Sequence, residues 1–166
     1  MSDHPEIDRF DPRPVPAPDA GVDGLAVWAV AESHLPNYLL PRDCPRICFR
    51  ASDATNQRDQ ARFLLGAERV VAFEQSWLER VRTTSLTLYE MPRAPFQEVL
   101  PEAGYWIARE TVVATTRIRV DDLLQALVDH HVEVRILDDF WTLRDAVIAS
   151  TLQFSIIRTR NAQPRS

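Results

Sequence analysis

A chain of 166 residues fits one ordinary domain, and at this size the core needs neither a disulfide nor a metal to hold it. Its 45% hydrophobic and 26% charged residues exclude disorder of the whole chain. The net charge of -5 argues against nucleic-acid binding that rests on neutralised phosphates, and no apolar run reaches the roughly 18 residues of a membrane span.

All 19 basic residues are Arg. A chain-wide absence of Lys fits a compositional bias better than selection for guanidinium forks. Met1–Glu6 has neither a basic n-region nor an apolar h-region, so it does not read as a signal peptide. The only cysteines are Cys44 and Cys48, which form no disulfide framework, and a reducing cytoplasm is the expected compartment.

In chain order, residues 1–24 read as a proline-rich arm, because Pro12, Pro14, Pro16 and Pro18 alternate with other residues and lack backbone donors. Phe10 is placed to pin this arm to the surface. Leu25–Val30 is a short apolar run and predicts a buried strand. Glu32–Leu40 predicts a short helix ended by Pro41. Arg46–Arg50 alternates Ile47 and Phe49 with polar neighbours, the signal of a half-buried strand. Ala54–Leu65 predicts a helix with Asp53 as cap and Gly66 just past its end.

Val70–Phe73 follows as a strand. Ser76-Trp77-Leu78-Glu79 has capping-box spacing and predicts a brief helix to Arg82. Ser85–Met91, Gly104–Ala108 and Thr111–Val120 predict strands. Val120, Leu123, Leu124, Leu127 and Val128 form one apolar helical stripe, with Asp121 and Asp122 at its positive end. Val132–Ile136 alternates as a strand, Phe140, Leu143 and Val147 mark a helix capped by Asp139, and Thr151–Ile157 closes the pattern. Residues 25–158 therefore read as a single α+β domain with a mixed sheet, and 159–166 as a polar tail.

Four glycines are too few for the phosphate loops of nucleotide-binding folds, and no G-x-S-x-G or H-E-x-x-H occurs. Cys44, Cys48 and His34 are ligand types, but their spacing matches no zinc motif, and no metal is expected. The densest cluster is Pro41-Arg42-Asp43-Cys44-Pro45-Arg46. It reads as an anion site gripped by Arg42 and Arg46, as a thiol at Cys44 activated by guanidinium groups, or as a rigid turn in which Asp43 pairs with an arginine. The four tryptophans, Trp28, Trp77, Trp106 and Trp141, read as core. Tyr38 and Tyr105 could line a pocket. Glu74, Glu90, Glu110 and Glu133 are dispersed acids beside apolar elements, and the arginines of the last segment read as a solvated edge or a second half of the anion site.

Ile7-Asp8-Arg9-Phe10-Asp11-Pro12-Arg13-Pro14, Val27-Trp28-Ala29-Val30, the segment from Tyr38 to Arg46, and Phe154-Ser155 with Arg158-Thr159-Arg160-Asn161-Ala162 together resemble an uncharacterised bacterial family of unknown function. Members tend to begin with a His-x-Ser strand that has no counterpart here, so the resemblance implies a late start or a lost strand. They also tend to carry proline where Ala114 stands. More distantly, the pattern is similar to the ADP-ribosyltransferase fold. That similarity implies NAD as cofactor and Tyr38 as the residue stacking on nicotinamide. The expected histidine is missing, and the acid falls near Gly104 or Tyr105, with Glu110 displaced.

The leading expectation is a binding protein for a small phosphate- or nucleotide-like anion, with Arg13, Tyr38, Arg42 and Arg46 as ligand residues and no cofactor. His34, Cys44 and Glu110 are further candidates. The alternatives are an NAD-binding enzyme of the ADP-ribosyltransferase type, or its degenerate relative, and a protein-interaction domain.

Overall fold

The computed structural model describes residues 7–14 and 22–165. Backbone contacts group the chain into two compact units, residues 1–35 with 85–121 and residues 36–84 with 122–166. The class is α+β, with antiparallel and parallel pairing both present.

The first unit is built from short strands. β1 (Arg9–Phe10), β2 (Arg13–Pro14) and β3 (Leu25–Val30) come from its start; β6 (Leu86–Glu90), β7 (Gln97–Leu100), β8 (Tyr105–Ala108), β9 (Val112–Val113) and β10 (Thr116–Val120) come later. A four-stranded sheet runs in the order β2-β3-β8-β7, beside the ribbons β1-β9 and β10-β6. The proline-rich segment thus does supply ladder partners. Arg13 and Pro14 lie opposite Ala26 and Leu25, an edge position where a proline costs no inner bond. Its residues 15–21, with Pro16 and Pro18, lie outside the described residues. Phe10 does act as a pin, meeting the edge of Tyr89 with centroids 5.0 Å apart.

The predicted Thr111–Val120 strand divides. Val112–Val113 pairs with β1, the chain changes partner at Ala114 and Thr115, and Thr116–Val120 then pairs with β6. β7 gave no sequence signal, since Gln97 and Glu98 break any apolar alternation on this edge strand.

The second unit holds the larger core. β4 (Arg46–Arg50), β5 (Arg69–Glu74), β11 (Val132–Leu137) and β12 (Gln153–Ile157) form a sheet in the order β11-β5-β4-β12. Only β11 and β5 are parallel. β4 was expected to be half-buried, yet Arg46 through Phe49 are all buried, because both faces of this inner strand are covered. One face carries Ile47, Phe49, Val70 and Ala72 into a cluster with Phe63, Phe140 and Val147. Each large side chain buried there is worth roughly 1.5–3 kcal/mol. On the other side α3 (Leu123–Asp129) packs along β11, and α2 (Leu78–Thr83) contacts α3.

The helix expected over Ala54–Leu65 is shorter. Asn56 rather than Asp53 caps α1 (Gln57–Asp59), accepting the Asp59 amide at 2.8 Å, and the chain continues as a wider π turn over Gln60–Leu64. The capping box at Ser76 is not used: α2 follows a 3-10 turn over Gln75–Trp77, with no side-chain cap. Asp139 caps α4 (Phe140–Ile148) as the sequence predicts, and of the two acids placed at the positive end of α3 it is Asp122 that caps it. All four tryptophans are half-buried rather than central; Trp28, Trp106 and Trp141 sit at the margins of the core clusters.

Candidate functional site

Antiparallel pairing puts the start of β4 beside the end of β5. Arg46 faces Phe73 across one ladder and Ile157 across the other, while Glu74 pairs with Leu137. One end of the second unit's sheet therefore collects Arg46, Glu74, the entering turn 41–45 and the segment leaving β12.

The turn has an unusual carbonyl pattern. Arg46 Nη1 donates to the carbonyls of Pro41 (3.0 Å) and Cys44 (3.1 Å). Arg158 Nε donates to the Arg42 carbonyl at 3.2 Å, and Asn161 Nδ2 to that of Asp43 at 2.7 Å. Four consecutive carbonyls are thus taken by side chains, closed further by the Cys44 amide on Pro41. Two prolines leave the segment short of amide donors, so guanidinium and amide groups supply them. Arg158 reaches its place from a left-handed backbone (φ 58°).

Arg46 is 3% exposed. Burial lowers its pKa, but a guanidinium titrates so high that it remains charged. Its carbon Cζ lies 5.9 Å from the Tyr38 ring centroid. Among the described residues no carboxylate lies within ion-pair distance of it, and its buried Nε has no hydrogen-bond partner. The guanidinium is therefore held by carbonyls through Nη1 and by an aromatic face, with its buried Nε left without a partner.

Glu74 is also 3% exposed. Its Oε1 accepts the Gln163 amide at 2.9 Å, and its Oε2 is buried without a partner.

Tyr38, Arg42 and Arg46 thus belong to one unit, although Arg42 is exposed and contributes its carbonyl rather than its guanidinium to the turn. The activated-thiol reading of Cys44 is overturned. Its thiol is buried, donates to the Pro45 carbonyl, and is pushed up to about 12, because desolvation outweighs the pull of Arg46. The rigid-turn reading needs a change of partner: Asp43 lies 4.0 Å from Arg158, not against Arg42 or Arg46.

Arg13, His34 and Glu110 belong to the first unit. Arg13 is exposed on β2 and Glu110 on a bend. His34 is a packing residue: its Nε2 donates to the Glu102 carbonyl at 3.1 Å, which leaves Nδ1 to accept from the Ser33 hydroxyl at 3.0 Å. Among the described residues no group of three or more His, Cys, Asp or Glu is placed to hold a metal ion. In the sequence Glu74 is one of several dispersed acids with no particular role, and no local pattern marks Asn161 as the residue that closes the turn. Only the recurrence of arginines after β12 hinted at the coupling.

The chain belongs to a family of unknown function, DUF6886, whose match spans residues 1–162. No curated protein and no solved structure matches the chain, so no relative supplies an activity.

Proposed function

We propose that the second unit binds a small oxyanion-bearing ligand, phosphate- or nucleotide-like, at Tyr38 and Arg46 with Arg42 at the rim. The observation that carries this reading is the buried Arg46 guanidinium, which among the described residues has no acid within ion-pair distance and an unpartnered Nε. With both Nη1 hydrogens given to carbonyls, the remaining donors lie on the Nε–Nη2 edge. That edge matches two oxygens of a carboxylate or phosphate. Tyr38, whose ring centroid lies 5.9 Å from the Arg46 guanidinium carbon, brings an aromatic group to the same place. No helix among the described residues is long and apolar enough to cross a membrane, and two free thiols fit a cytoplasmic setting.

A thermal-shift screen with NAD, ADP-ribose, mononucleotides, sugar phosphates and inorganic phosphate tests the reading. A ligand at 100 times its dissociation constant stabilises by about 2.7 kcal/mol, a rise on the order of 5–10 °C at this size. Arg42→Ala should reduce that rise while leaving the unliganded Tm nearly unchanged, because its side chain is solvated. Absence of any rise across the panel at saturating concentration overturns the proposal.

A further inference from the structure

The C-terminal segment is seated in the second unit by contacts that read a peptide. The Gln163 main chain is bracketed: its N–H donates to Glu74 Oε1 at 2.9 Å, and its carbonyl accepts from Trp141 Nε1 at 2.7 Å. Two residues on, the Arg165 guanidinium lies 4.7 Å from the Trp141 ring centroid and donates to Asp145 at 2.9 and 3.0 Å. Pro164 stands between them, which favours the extended path that spaces the two contacts. The side chains of Gln163 and Pro164 are exposed and add nothing to the fit.

This division of labour, with main-chain polar groups held by side chains and one cationic side chain in an aromatic and acidic slot, is how proteins recognise extended peptides. The slot also has spare capacity. Glu74 Oε2 is buried and unpartnered on a side chain 3% exposed, so the carboxylate can accept a further donor. Asp145 is half exposed and paired to Arg144 at 2.7 Å as well, so its grip on Arg165 is shared and solvated.

We propose that Glu74, Trp141 and Asp145 form a recognition slot for an extended Xaa-Pro-Arg segment of a partner protein. The chain's own Gln163-Pro164-Arg165 occupies it as an internal competitor. The slot stands apart from the Arg46 reading, because it selects a cation and a peptide backbone rather than an oxyanion.

The test uses the full chain with Gln163→Pro and Arg165→Ala together, which removes the bracketed N–H and the guanidinium while leaving the slot intact. Deuterium exchange of residues 158–165 first shows whether the tail is released, and no acceleration there would overturn the claim that these contacts hold it. A labelled hexapeptide with the sequence of residues 161–166 is then titrated by fluorescence anisotropy. Saturable binding to the double variant, at least about ten-fold tighter than to the unmodified chain, is expected from removal of the competitor. The same peptide with alanine for its arginine should not bind, and adding Asp145→Asn should weaken binding. No binding to a variant with a released tail, or binding indifferent to Asp145→Asn, would overturn the slot. A concentration-dependent dimer of the unmodified chain, formed by exchanged tails in sedimentation, would overturn the separate partner in favour of a second copy.

Discussion

Replacing Arg46 by methionine keeps the length of the side chain and removes its donors. The Pro41 carbonyl retains the Cys44 amide at 2.9 Å, so it stays satisfied. The Cys44 carbonyl loses its Arg46 donor at 3.1 Å and has no other among the described residues. A buried carbonyl left without a partner costs about 1–3 kcal/mol. Against this stands relief from burying a cation with an unpartnered Nε, and exchanging buried charge for apolar packing can be neutral or favourable. Because this charge already bonds two carbonyls, the donor loss should dominate. The expected net loss is about 1–3 kcal/mol, which lowers the Tm by roughly 2–12 °C at this chain length. Paired thermal and urea unfolding of the two proteins measures it. A methionine variant as stable as the unmodified chain, or more so, would refute the view that Arg46 staples the turn, and would mark it as a group kept for a ligand alone.

Gly104→Ala should be costly on two counts, since Gly104 has φ 65° and a Cβ there would overlap the His34 imidazole. The left-handed backbone costs about 1–2 kcal/mol and displacement of His34 puts its two hydrogen bonds at risk, so a Tm loss of roughly 5–15 °C is expected and a loss under about 2 °C would count against it. Burial raises the Cys44 and Cys48 thiols from 9.0 to about 12. The folded state therefore holds protons that the unfolded state releases. Its stability is intact below pH 9.0 and falls between there and about 12, with each thiol contributing a slope of about 1.4 kcal/mol per pH unit. Urea midpoints measured from pH 8 upward should fall more gently in Cys48→Ala than in the unmodified chain, and parallel slopes would contradict the burial argument.

Sequence alone determined the elements whose signals are local. β3 spans the apolar run Leu25–Val30, β4 spans Arg46–Arg50, and Asp122 and Asp139 cap their helices because a short acid before an apolar stripe satisfies free amides wherever it occurs. The α+β class and family membership were also legible, the first from periodicity and the second from spaced motifs along the chain. Tertiary structure decided what those motifs do. Arg42 and Arg46 look equivalent in sequence, yet pairing of β4 between β5 and β12 buries Arg46, while Arg42 stays on the turn in solvent. Asn161 meets the Asp43 carbonyl and Gln163 meets Glu74 across 118 and 89 residues, contacts that no local pattern encodes. Burial also removed one of the three readings of the turn, the activated Cys44 thiol, since desolvation depends on how many apolar atoms surround a thiol and outweighs the pull of the arginine beside it.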